Sequence, residues 1–116
     1  AGIVQAGSNL KVAPQGGSLQ LNARSEAQKA YDEGKKLYEL KTVESLQKAI
    51  KKWEEALKIY QNISDKGKQA LTMIEIGRAY NYLQVNDKAL EYYQRALALY
   101  RKVSDKTGEA AAFNHI

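Results

Sequence analysis

Residues 48–66 read KAIKKWEEALKIYQNISDK, and residues 88–106 read KALEYYQRALALYRKVSDK. A displacement of 40 residues lays Lys48-Ala49 on Lys88-Ala89, Ala56-Leu57 on Ala96-Leu97, Tyr60 on Tyr100 and Ser64-Asp65-Lys66 on Ser104-Asp105-Lys106. Carried further, it pairs Ala70 with Ala110 and Ile76 with Ile116. That makes ten identities over 48–76 against 88–116, where chance at ordinary composition gives roughly two. Ile50 with Leu90, Trp53 with Tyr93 and Ile63 with Val103 are conservative pairs between them. The shared positions fall three and four apart, the spacing of one helix face. Small Ala49/Ala89 and Ala56/Ala96 let neighbouring helices approach closely, and Trp53/Tyr93 fill the space between them. A repeat of this length marks a supersecondary unit that buries its apolar face by stacking on its neighbour.

Working outward, the pattern predicts five helices. Ser25 with Gln28 has the spacing of a capping box, so a first helix is expected from about Glu26, with Ala27, Ala30, Tyr31, Gly34, Leu37 and Tyr38 on one face. Thr42 is a cap for a second helix, whose stripe is Leu46, Ala49, Ile50, Trp53, Leu57 and Tyr60. Asp65 and Gly67 break the chain before a third, with Leu71, Ile74, Ile76, Tyr80 and Leu83. Asn86 or Asp87 is expected to cap a fourth, and Asp105 a fifth. No proline interrupts Glu26 to Val103. The fold class expected is all-α.

Residues 1–25 differ. They hold four of the eight glycines, the single proline (Pro14) and no aromatic residue, so few side chains are available to bury. An irregular, flexible leader is expected there. It has no basic start leading into an apolar run, so it is not an intact signal peptide. A start at Ala1-Gly2 without Met fits either a cleaved export signal or a fragment boundary.

In Ile76-Gly77-Arg78-Ala79-Tyr80, Lys88-Ala89-Leu90-Glu91-Tyr92-Tyr93 and Ala96-Leu97, the chain resembles the tetratricopeptide repeat (TPR) family. The 40-residue period and Arg101, where the family usually has Pro, depart from its common pattern and point to a long-period variant. Gly34 stands three residues nearer the N-terminus than the period requires, so the region Leu40–Glu44 is expected to lengthen the first helix or its turn. The resemblance implies an antiparallel helix-hairpin solenoid over 26–116, with units of about 26–64 and 66–104 and a partial third over 106–116. Such stacks normally need about three repeats and polar end caps. The stub ending in Phe113 and Ile116 is not polar, so a longer array is expected, or self-association through the edge near Phe113.

The chain carries 18 basic and 13 acidic residues, a net charge of +5. Cations such as Lys35-Lys36, Lys51-Lys52 and Arg101-Lys102 have acids close by, the mixture of a solvated surface rather than a phosphate-binding face. Nucleic acid is therefore not the expected partner. No run of about 20 apolar residues exists to span a membrane. With no Cys, thiolate catalysis, disulfides and Cys-based zinc sites are excluded, and one His (His115) leaves no imidazole cluster. Lack of Cys is compatible with either side of a membrane. No nucleophile sits beside a base, Gly16-Gly17-Ser18 lacks the Lys of a phosphate loop, and no metal or cofactor is expected. The chain is not expected to be an enzyme.

The resemblance instead implies a protein–protein interaction scaffold, whose first helices line a concave groove for a peptide or partner segment. Matching Gly34 with Gly77 places Tyr31, Lys35 and Tyr38 in that groove, then Ile74, Arg78, Asn81 and Tyr82, with Asn114 beginning a third unit. Lys35, Arg78 and Asn81 suit a carboxylate or backbone carbonyls. The tyrosines suit either amphipathic contact or helix packing. Trp53, Tyr80, Tyr93 and Tyr100 are expected in the core. An alternative implied by the resemblance is the non-catalytic front portion of a larger bacterial protein that carries a caspase-like peptidase domain.

Overall fold

The computed structural model describes the backbone of residues 2–116 and the side chains of residues 19–116. Among the described residues the chain forms α1 (Gly2–Glu39), α2 (Val43–Asn62), α3 (Lys66–Tyr82), α4 (Asn86–Lys102) and α5 (Lys106–His115), with no strand. Each helix packs against the next in sequence, α1 on α2, α2 on α3, α3 on α4 and α4 on α5. This is an all-α helical repeat. No described helix is long and apolar enough to cross a membrane.

The four turns between helices share one design. Each is three residues long, and its middle residue (Lys41, Ser64, Gln84 or Ser104) has a positive φ of 55–65°. In three of them the residue after the left-handed one sends its N–H back to a tyrosine carbonyl at 2.9 Å: Asp65 to Tyr60, Val85 to Tyr80 and Asp105 to Tyr100. These bonds satisfy carbonyls that the helix end leaves free. Thr42 ends the first turn differently. Its hydroxyl accepts from the Ser45 N–H (2.9 Å) and its N–H donates to the Ser45 hydroxyl (3.0 Å), a reciprocal capping box.

Thr42, Asp65 and Asp105 open helices as the sequence leads one to expect, with Asp65 accepting from the Lys68 N–H (3.0 Å) and Asp105 from the Gly108 N–H (2.9 Å). Four expectations need correction. Asn86 and Asp87 lie inside α4, whose cap is Val85 with no side-chain bond. Ser25 lies inside α1, so Ser25 and Gln28 form no cap; Gln28 instead donates its amide to Asp32 (3.0 Å). No Gly or Pro lies between Leu19 and Tyr31 to stop the helix, and Arg24 is paired with Asp65 at the start of α3. The irregular segment expected over 1–25 is instead helical in the described backbone, where it forms the first part of α1 from Gly2 onward. Fourthly, the residues that displace Gly34 do not lengthen α1 or its turn. They lengthen α2, which has 20 residues against 17 in α4.

The core follows the repeat. Trp53 is fully buried and Tyr93 is 4% exposed. A Cβ on Gly34 would collide with the Trp53 indole, and one on Gly77 would lie 2.5 Å from a Tyr93 ring carbon. Each large ring therefore seats on a glycine of the preceding helix, where any side chain would hold the helices apart. Ala49, Ala56, Ala89 and Ala96 are buried beside them. Residues 51–60 and 91–100 show the same order of exposed and buried positions. Tyr100 is buried as expected, while Tyr80 is half-buried and stacked on Tyr92 at 5.8 Å between centroids.

Candidate functional site: a cavity between the first two hairpins

A cavity of about 240 Å³ opens where α1, the α1–α2 turn and α3 meet. Its walls are Lys35, Tyr38, Glu39, Lys41, Trp53, Glu75 and Arg78. Trp53 lies behind this lining and is wholly buried. Its indole N–H donates to the Tyr31 carbonyl (3.0 Å), which satisfies the one polar group of a wholly buried side chain.

Tyr38 is the centre of the site. Its ring meets Trp53 at 5.7 Å and Tyr82 edge-on at 6.3 Å. The Lys41 ammonium sits 3.5 Å from the Tyr38 centroid and 5.1 Å from that of Tyr82, and the Arg78 guanidinium lies 5.1 Å from Tyr38. Two cations thus lie over one half-buried ring, Lys41 without an ion pair among the described residues and Arg78 while also paired with Glu75.

Glu75 is the buried charge of the site, and both of its oxygens are occupied. Oε1 accepts from Arg78 (3.0 Å) and Oε2 from the Tyr31 hydroxyl (2.9 Å). Leaving a buried carboxylate without such partners is costly. Burial, and then the charge and hydrogen bond of Glu75, push the Tyr31 phenol well above its ordinary pKa. This link joins α1 to α3, so the two walls of the cavity are tied by a charge-assisted bond rather than by apolar contact alone.

The residues expected to line a groove divide into three sets. Lys35, Tyr38 and Arg78 line this cavity, and the 54% exposed Tyr82 flanks it through Tyr38. Tyr31 and Ile74 are buried. Tyr31 acts through its hydroxyl on Glu75, and Ile74 belongs to the core, so neither presents a face to a partner. Asn81 lies on a separate cavity with Asn86, Leu90, Tyr93, His115 and Ile116, and Asn114 is exposed on α5. There His115 stacks on Tyr93 at 5.1 Å, and burial followed by the nearby Arg78 charge lowers its pKa.

Sequence reasoning missed Glu75 and Lys41. Glu75 sits three residues before Arg78, a spacing that brings opposite charges together on a helix, but its neighbours Ile74 and Ile76 mask it in an apolar run. Lys41 carries no sequence signal, because the left-handed turn conformation is what aims it at the tyrosines.

A comparison with curated proteins finds no match for the chain. The family described as Tetratricopeptide repeat matches residues 41–114, which span α2 to α5 and both large rings seated on glycine. With more than half of its length matched and its hairpins stacked on one another, the chain belongs to the tetratricopeptide repeat family.

Proposed function

We propose that the chain is a protein–protein interaction scaffold and that the cavity around Tyr38 is the part of its groove that holds a partner's peptide segment. The observation that carries this reading is that Lys41 and Arg78 lie over the half-buried Tyr38 ring, in a cavity that Lys35 also lines and that sits between two stacked hairpins. Small concave sites with an aromatic floor and a few oriented polar groups are where proteins take side chains of a partner. Here the accessible ring is Tyr38, packed on the wholly buried Trp53, and the polar groups come from two helices and a turn.

The test is affinity capture with the wild-type chain and the Lys35→Glu/Arg78→Glu double variant. The proposal expects partners held by the wild type to be lost from the variant while its helical content is unchanged. Retention of every partner by the variant would contradict it.

The opposite end of the stack supports a second contact. Leu90 on α4, Phe113 on α5 and Ile116 just after it are 42–56% exposed. Their repeat counterparts Ile50 and Ile76, by contrast, are 6% and 0% exposed. This exposed apolar edge supports a contact with a further repeat unit or with a second copy of the chain.

A further inference from the structure

We infer that a pocket beside the caps of α3 and α5 takes the guanidinium group of an arginine side chain presented by a protein partner. It shares no lining residue with the cavity around Tyr38 and does not rest on the reading of that cavity. The first repeat unit shows the filled form. There Arg24 of α1 pairs with Asp65, the cap of α3, and the Tyr60 hydroxyl donates to the Gln28 side-chain oxygen at 3.4 Å. Tyr60 and Asp65 return 40 residues later as Tyr100 and Asp105, the cap of α5. Their α1 partners do not return. Gly34 and Gly77 are counterparts, each the seat of a large ring. Ten residues before them stand Arg24 and Gly67, and six before them Gln28 and Leu71. Where α1 offers a guanidinium and an amide, α3 therefore offers no side chain and an aliphatic one.

What remains is a cavity of about 340 Å³ lined by Asp65, Gly67, Lys68, Leu71, Tyr100 and Asp105. Two acceptors on its wall are open. Asp105 accepts from the Gly108 N–H (2.9 Å) through Oδ1 and makes no ion pair among the described residues. Tyr100 is 7% exposed, and its hydroxyl has no hydrogen-bond partner among the described residues. A buried polar group left in that state is costly, which favours a ligand that satisfies it. Burial and then the Asp105 charge raise the Tyr100 phenol above its ordinary pKa. Burial and Asp65 do the same at Tyr60, but there the Arg24 charge acts against them. The second unit lacks that cation. A guanidinium supplies it, and its planar fork of donors meets a carboxylate oxygen and a phenol oxygen together. An ammonium is a point charge without that fork. Lys68 illustrates the difference, since it stands on the wall and pairs with neither aspartate.

The test is an NMR titration of the chain with acetyl-Ala-Arg-Ala-amide and with its Lys counterpart, read at the Tyr100 ring and the Gly67 amide. The expected result is a saturable shift of both groups with the arginine peptide and weaker binding of the lysine peptide. Asp105→Asn keeps a side chain able to cap α5, removes the charge, and should weaken binding about tenfold. Gly67→Arg supplies the guanidinium from within the chain, as Arg24 does in the first unit. A Cβ at Gly67 meets nothing nearer than an Asp65 oxygen at 3.9 Å, so this variant should fold and no longer respond to the peptide. Equal binding of the two peptides would reduce the effect to charge and overturn the guanidinium preference. Shifts undiminished in both variants, or appearing at Tyr38 and not at Tyr100, would overturn the site. The absence of any saturable Tyr100 shift would overturn the proposal outright.

Discussion

Individual residues carry sharply different burdens in this chain. Gly77 and Gly67 lie in the same helix, yet the first is the seat of the Tyr93 ring and the second is open, its nearest neighbour an Asp65 oxygen at 3.9 Å. Gly77→Ala should therefore destabilise by about 1–3 kcal/mol through overpacking. Gly67→Ala should be neutral or stabilise by up to about 1 kcal/mol, because Ala restricts the unfolded chain and favours helix. Urea unfolding of the two variants checks the contrast. Tyr31→Phe removes one of the two partners of Glu75 and should cost about 1.5–3 kcal/mol, the range for hydrogen bonds to charged groups. The pH dependence has a definite sign. The folded state holds the Tyr31 proton more tightly than the unfolded state, so this stabilisation is full below the ordinary phenol value of about 10 and is lost as pH rises above it. The alkaline fall in stability should be shallower in Tyr31→Phe. Tyr38, Lys35 and Arg78 were legible as residues of one cavity wall because each follows from the register of Gly34 and Gly77. Ile74 was misread for a simple reason. It lies one turn before Arg78 and only about 40° round the helix, where a long guanidinium arm reaches the cavity and a short branched side chain does not.

At the level of elements, capping by Thr42, Asp65 and Asp105 was readable from sequence because a short polar side chain before an apolar stripe has one economical use. The start of α4 was not, since Asn86 and Asp87 look like caps while the backbone bond from Val85 to Tyr80 sets the boundary one residue earlier. The extra length of α2 was hidden too: the sequence places an insertion between Gly34 and Trp53 but not on either side of Thr42. Asp65 carries the most testable cap. Burial opposes its ionisation, but the Lys68 N–H and the Arg24 guanidinium outweigh that and hold its pKa below the ordinary carboxylate value. Its contribution is therefore complete at neutral pH and is lost as pH falls through the lowered value. Asp65→Ala should cost about 1–2 kcal/mol at pH 7, and the difference from wild type should shrink in strong acid, measured by thermal unfolding at both pH values. Among the turns, Gln84 holds a left-handed conformation with φ of 65°, which costs a non-glycine residue about 1–2 kcal/mol. Gln84→Gly recovers part of that against the entropy glycine adds to the unfolded chain, a net gain of about 0.5 kcal/mol. A lower melting temperature in Gln84→Gly would contradict the shared turn design.

For the molecule as a whole, the stack is what creates a site. Tyr38 belongs to the first hairpin and Tyr82 and Arg78 to the second, so no single unit contains the cavity. The repeat of alanines and rings made the all-α architecture legible. Phe113 on α5 is exposed, as the apolar stub led one to expect. Sedimentation velocity should show concentration-dependent association that Phe113→Glu removes; a strictly monomeric wild type at high concentration would contradict an associating edge. What sequence periodicity did not convey is the cross-hairpin chemistry of Glu75 and Lys41, which depends on one unit's position against the next. That relative placement is tested most directly by nuclear Overhauser contacts from the Tyr38 ring in solution. Stacked hairpins predict contacts to both Trp53 within the first unit and Tyr82 of the second. A Tyr38–Trp53 contact without any Tyr38–Tyr82 contact would mean that the first hairpin forms and the cavity does not.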